Sequence, residues 1–219
     1  MEYEITNQPA FAELVLTLDT DEEIRTESGS LVSHSATVDV PSDATSSPKR
    51  SVSSEEAPFS TTFAANNPGT LRLAPPFPGD IFHYELRDET LYVQSCSFLA
   101  AEIGIDFDAK FSAKETFLGC SGDFLLELSG AGLAFLSSYG AVSVVSLDPG
   151  ETYIVDTGHV VAFEGSVDFE VNRADGIQSP TGDGGGLLCE LEGPGTIWTQ
   201  SRSPVALLRW FLPNMPSDE

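Results

Sequence analysis

Val167-Asp168-Phe169-Glu170-Val171 alternates apolar and acidic residues without a break. That is the period of a strand with one face in a core and the other in water. The same stretch closes a longer one that occurs twice. Leu18-Asp19-Thr20-Asp21-Glu22 through Gly29 to Val38-Asp39 aligns without a gap onto Leu147-Asp148-Pro149-Gly150-Glu151 through Gly158 to Val167-Asp168, an offset of 129 residues. Leu, Asp, Glu, Gly, two Val and Asp recur at identical spacing. A weaker third copy lies between them. Ser97-Phe98-Leu99 through Ile105-Asp106-Phe107 matches Ser30-Leu31-Val32 through Val38-Asp39-Val40 at an offset of 67. Pro78-Gly79-Asp80 resembles the turn Pro149-Gly150-Glu151, and with that anchor the middle copy carries an inserted hairpin around Arg87–Thr90. Three related β units in one chain predict a pseudo-threefold arrangement in which each unit buries the face it cannot bury alone.

Outward from these repeats the strand signals continue. Phe11–Leu18, Ile81–Leu86 and Tyr153–Phe163 are short runs rich in Val, Leu, Ile, Phe and Tyr, punctuated by Gly, Pro, Asp and Asn. The chain reads as all-β, a single domain over residues 1–219. Leu128–Leu147 has no charged residue, but its glycines and serines dilute the apolar content, so it reads as two buried strands and a turn rather than a membrane span. Pro41–Pro58 is dense in Ser, Thr, Pro and charge and has little to bury, which predicts a flexible insertion. A short helix is expected over about 204–212, opened by Pro204 and stopped by Pro213.

The composition limits the classes of partner. Of 219 residues 41% are hydrophobic, enough for a core, and 34 acidic against 10 basic residues give a net charge of −24. Such a chain is repelled by phosphate backbones and anionic lipid, and no basic cluster with interleaved aromatics exists, since Arg72, Arg173, Arg202 and Arg209 are isolated. No nucleic-acid partner is expected. An acidic, lysine-poor surface suits molar salt, which screens its self-repulsion, so a halophilic source is expected. Cys96, Cys120 and Cys189 are widely spaced and form neither a disulfide framework nor a thiolate metal site. Met1-Glu2-Tyr3-Glu4-Ile5 is not the start of a usual signal peptide, and a cytoplasmic location is expected.

The motifs that could carry chemistry are incomplete. Asp156-Thr157-Gly158 matches the aspartic-protease tripeptide, but that chemistry needs two carboxylates sharing a proton. The repeat offers Glu27-Ser28-Gly29 instead. His34, His83 and His159 are far apart and no H-x-H pair occurs, so no metal is expected. Gly119-Cys120-Ser121-Gly122 does not have nucleophile-elbow spacing, and Gly182-Asp183-Gly184-Gly185-Gly186 lacks the lysine of a phosphate loop. Acidic pairs such as Asp106/Asp108 and Glu190/Glu192 are expected on solvated faces. What remains is one polar pair, Asp156 and His159, as a candidate ligand pocket. Leu208, Trp210 and Phe211 form the densest apolar cluster near a terminus and are the candidate interaction surface.

Several blocks carry a family resemblance: Met1–Ile5, Phe77-Pro78-Gly79-Asp80-Ile81, Gln94-Ser95-Cys96-Ser97-Phe98-Leu99-Ala100, Phe135–Gly140, Val155–Phe163 and Gly193–Ser203. Together they resemble the altered-inheritance-of-mitochondria family, whose prokaryotic members have a fold like the tryptophan RNA-binding attenuator protein. The resemblance departs at Pro41–Pro58. It implies a β-prism or double-stranded β-helix that assembles as an oligomer, often a trimer. Mitochondrial relatives are implicated in organising inner-membrane architecture, and the family supplies no catalytic residue or cofactor. The expectation is a non-catalytic oligomeric scaffold or binding module, cytoplasmic or membrane-peripheral, with a protein or membrane partner. The alternative is a small-ligand binder or enzyme with its pocket near Asp156 and His159.

Overall fold

The computed structural model describes residues 1–41, 60–110, 125–173 and 187–211. Of the insertion expected at 41–58 all but Pro41 lies outside them, as do Cys120 and Gly182–Gly186. The first unit contains β1 (Glu2–Thr6), β2 (Glu13–Leu18), β3 (Glu23–Glu27), β4 (Leu31–His34), β5 (Val38–Asp39), β6 (Ser60–Ala65) and β7 (Gly69–Leu73). The second contains β8 (Ile81–Arg87), β9 (Leu91–Gln94), a 3-10 turn at Ser95–Ser97, β10 (Phe98–Glu102), β11 (Ile105–Lys110) and β12 (Leu125–Ser137). The third contains β13 (Val142–Leu147), β14 (Thr152–Asp156), a 3-10 turn at Thr157–His159, β15 (Val160–Glu164), β16 (Asp168–Arg173), β17 (Leu187–Glu192) and β18 (Gly195–Gln200), and ends in a helix, α1 (Pro204–Phe211). The chain is all-β apart from this helix.

One pairing scheme recurs in all three units, and strands are counted by their first-unit equivalents: β8 and β13 match β2 as second strands, β9 and β14 match β3 as third, β10 and β15 match β4 as fourth, and β11 and β16 match β5 as fifth. β7 lies between β2 and β4 while β6 lies between β3 and β5. β18 and β17 take the same places among β13, β15, β14 and β16. In the middle unit the long β12 fills both roles: Leu125–Gly130 pairs with β9 and β11, and the rest with β8 and β10. The ladder is irregular at one equivalent point in each unit, between Leu31 and Ser33, Phe98 and Ala100, and Val160 and Ala162. A bulge at a fixed place sets the bend of the strand that follows it.

The turn after the second strand of each unit also has a common form. Asp21, Asp88 and Gly150 hold φ of 65°, 60° and 79°, a left-handed geometry that Gly and the short polar side chain of Asp tolerate. This corrects the sequence alignment of the middle unit. Arg87-Asp88-Glu89, not Pro78-Gly79-Asp80, is the counterpart of Pro149-Gly150-Glu151. Arg87–Thr90 is therefore the ordinary β8–β9 turn and no hairpin is inserted there. A Pro-Gly-Asp signature marks many turns, and here it marks the entry to β8, where Gly79 bridges Gly140.

Units are joined edge to edge. β10 pairs with β3 (Thr26↔Ala100, Arg25↔Ala101, Ile24↔Glu102), and β15 pairs with β9 (Val93↔Ala162, Tyr92↔Phe163, Leu91↔Glu164). The cores follow these seams. Leu14, Leu16, Phe63 and Leu71 pack with Leu99, Ala100 and Phe135 of the second unit. Leu126 and Leu128 pack with Val161 and Ala162 of the third. The alternating stretch behaves as its sequence says: Val167 is buried, Phe169 and Val171 are half-buried, and Asp168 and Glu170 are exposed. Leu128–Leu147 forms the end of β12, a turn and β13, and no helix among the described residues is long and apolar enough to cross a membrane.

Gly195 and Gly150 separate two reasons for glycine. Both have positive φ, 149° and 79°, but a Cβ on Gly195 would lie 2.6 Å from Val167 Cγ2 whereas one on Gly150 meets nothing within 4 Å. Gly195→Ala is expected to lower stability by about 1–3 kcal/mol from backbone strain and more from the clash. Gly150→Ala should cost less, and paired thermal melts check the order.

Candidate functional site

Asp156 and His159 bracket the 3-10 turn between β14 and β15. Asp156 Oδ1 accepts the Gly158 N–H at 2.9 Å, capping the turn. His159 Nδ1 is 2.7 Å from Gln200 O, and since a carbonyl only accepts, Nδ1 carries the proton. Gln200 locks the arrangement, its Nε2 donating to Gly158 O at 3.0 Å and its Oε1 accepting from Tyr139 N at 2.8 Å. The structure thus brings Asp156 and His159 to one turn and directs each to a separate backbone partner. The two side chains share no hydrogen bond with each other.

The equivalent turn positions are Glu27 and Gln94, so no second Asp-Thr-Gly copy faces the first. Among the described residues no group of three or more His, Cys, Asp or Glu side chains is placed to hold a metal ion. His34 Nδ1 bonds Ser35 O at 2.9 Å, and the His83 ring lies 5.3 Å from Tyr3. Cys96 and Cys189 are buried and not disulfide-bonded. Burial pushes the Cys189 thiol up to about 12, away from reactivity.

A groove of about 440 Å³ lies elsewhere, where β1 approaches β8, lined by Tyr3, Glu4, Gln8, Phe82 and His83 among others. Gln8 Nε2 ties its ends together, donating to Ile81 O at 2.8 Å and Asp80 Oδ1 at 2.9 Å. Asp156 and His159 do not line it. Sequence reasoning missed Tyr3 and Gln8 as site residues because nothing local joins β1 to β8; the period-two pattern of Glu2-Tyr3-Glu4-Ile5 was the available signal. Two further surfaces are open. β4 pairs only with β7 and β14 only with β17, which leaves one edge of each free of partners among the described strands. On α1, Leu208, Trp210 and Phe211 are all exposed, with the last two rings 6.0 Å apart. Pro204 and Ser203 at its start are buried.

The family model described as mitochondrial biogenesis AIM24 matches residues 3–202. An uncharacterised protein of Streptococcus pyogenes serotype M6 is 30% identical over 154 residues, which is 69% of this chain and 62% of that protein. The chain therefore spans less than two thirds of that relative's length. The X-ray crystal structure of another protein from Streptococcus pyogenes superposes with a TM-score of 0.83 at 24% identity, covering 98% of this chain and 99% of that one. That likeness speaks for the fold alone.

If Asp156 serves the turn rather than a reaction, Asp156→Ala is expected to lower stability by about 1 kcal/mol, the usual loss of a capping side chain. Asp156→Asn, which keeps an acceptor, should cost less; urea titration measures both. Cys189 is expected to resist thiol labelling at pH 8 in the folded protein and to label once unfolded, where a thiol titrates near about 8.5.

Proposed function

Because the chain belongs to the mitochondrial biogenesis AIM24 family, we propose that it is a non-catalytic, homo-oligomeric scaffold and binding module, with a trimer the favoured assembly. The supporting observation is where its apolar surface lies. Val32, Val144 and Ile154 are exposed on sheet strands and Leu208, Trp210 and Phe211 on α1, while the polar groups that could do chemistry are engaged with backbone. Exposed apolar clusters of this kind mark contacts with other macromolecules. In this reading the sheet edges serve self-assembly and α1 meets a protein partner or the margin of a membrane, which would place the chain in the cytoplasm or at a membrane periphery. A net charge of −24 disfavours anionic lipid as the first contact.

A second reading, small-ligand binding, is favoured by the groove beside Tyr3 and His83 more than by Asp156 and His159, whose polar atoms have backbone partners. A metabolite that raises the melting temperature, with the rise lost in His83→Ala and retained in His159→Ala, would support it.

Light scattering during size exclusion is expected to give a multiple of the protomer mass. A monomer at micromolar concentration contradicts the scaffold. Truncation after Ser203 should leave the oligomer intact and abolish partner or vesicle binding. The acidic surface also supports work in high salt, so the melting temperature should rise from dilute to molar KCl; an unchanged value contradicts that part.

A further inference from the structure

The two internal junctions follow one rule. The third strand of a unit, β3 or β9, pairs antiparallel with the fourth strand of the next, β10 or β15. Both give the same register once the units are aligned on their common bulge and turn. Applied a third time, the rule joins the third strand of the last unit, β14, to the fourth strand of the first, β4. Among the described residues these are the strands left with a free edge of this kind.

Exposure follows the same logic. Val32 in β4 is 52% exposed, while its counterparts Leu99 and Val161, each inside a junction, are 0% exposed. Tyr153 in β14 is 42% exposed, while Ile24 and Leu91 are 0%. Ser33 and His34 are exposed where Ala100, Ala101, Ala162 and Phe163 are fully buried. Asp156 is exposed where Glu27 and Gln94 are buried. The positions that differ are those a neighbouring unit would cover. Apart from the bulge that β4 shares with β10 and β15 and the Asp156 that ends β14, neither edge carries a device that protects a solvent-facing strand, since Leu31–Ser35 and Thr152–Val155 contain no Lys, Pro, Asp or Glu.

We propose that β14 of one protomer pairs antiparallel with β4 of a second copy of the chain, with Val155 opposite Ser33, Ile154 opposite His34 and Tyr153 opposite Ser35. This deepens the oligomeric reading and rests on it. The occupant is a second copy because each edge already has its complement at the other end of the same chain, in the register the internal junctions use. The pairing would fuse the sheet β1-β2-β7-β4 with β14-β17-β16, as β8-β12-β10 is fused with β3-β6-β5 inside the chain. The interface is head-to-tail, so the assembly closes as a ring when the rotation per protomer permits and otherwise extends. The turn bearing Asp156 and His159 then lies at the seam between protomers, beside Val32 of the neighbour.

The test is a pair of cysteines in a Cys120→Ser background. His34→Cys and Ile154→Cys, both at exposed positions, are made singly and together, with folding checked by circular dichroism. Mild oxidation of the mixed single variants should give a covalent dimer that neither variant gives alone. The double variant should give a ladder whose top band counts the protomers in a closed ring. Val32→Asp, which leaves the protomer fold intact because Val32 is exposed there, should release single protomers. A disulfide formed within one chain would overturn the proposal, showing that the three units close on themselves. An oligomer that lacks the cross-link and survives Val32→Asp would overturn this junction while leaving the oligomeric reading standing. A monomer under all conditions removes both.

Discussion

Every strand edge carries N–H and C=O groups that water, another strand or a side chain must satisfy, and a buried group left alone costs about 1–3 kcal/mol. In this protein that requirement is met between units as well as within them. β3 and β9 cannot complete their ladders from their own unit; β10 and β15 supply what is missing. The apolar cores lie across the same seams, with Phe135 and Leu99 packing among first-unit residues and Val161 among second-unit residues. Shared sheet edges therefore fix the order of the units, the position of the bulges and the burial of the fourth strands.

A polar residue recurs at one position of the repeat. Glu27, Gln94 and Asp156 each end the third strand of a unit. At Asp156 the carboxylate caps Gly158 and the following histidine bonds Gln200, so the residues that most resemble a catalytic pair hold the chain in its passage from one sheet to the next. A second repeated contact acts nearby. Glu102 and Glu164 accept the backbone N–H of Leu133 and Thr196, both at 2.8 Å, and Ser35 Oγ accepts that of Thr70 at 2.9 Å. Each contact lies one residue past the last ladder pair, at the end of the fourth strand, and carries the pairing on by a side chain.

Much of the fold was legible because period-two alternation and the gapless repeat both survive in the residues. Asp19-x-x-Glu22 and Asp148-x-x-Glu151 even form the same side-chain contact, Glu carboxylate to Asp N–H, at 2.8 and 2.9 Å. The middle unit was legible only from Ser97 onward. Its β8–β9 turn uses Arg-Asp-Glu where the third unit uses Pro-Gly-Glu, and its two pairing strands are fused into β12, so no turn signal divides them. Gly69, Gly132 and Gly195 fill one role in the three units: a Cβ at each would meet the fourth or fifth strand. Their spacing of 63 residues differs from the offsets of 67 and 129 that align the repeats, so the gapless alignments do not superpose them. The groove between β1 and β8 was invisible for a plainer reason, since its two walls are about a third of the chain apart. The helix that carries Leu208, Trp210 and Phe211 was legible from Pro204 and the apolar run after it, and the three side chains stand exposed on it.

Residue-resolved amide hydrogen exchange on the assembled protein tests the central claim most directly. Along β14 and β4 alternate amides point toward β17 and β7, and the others point to the edge that the next protomer covers. If shared edges organise the assembly as they organise the chain, the outward amides of β14 and β4 exchange as slowly as those of β3 and β9 that face β10 and β15. Outward amides that exchange at the rate of an open edge, in a sample whose internal junctions stay protected, would contradict it.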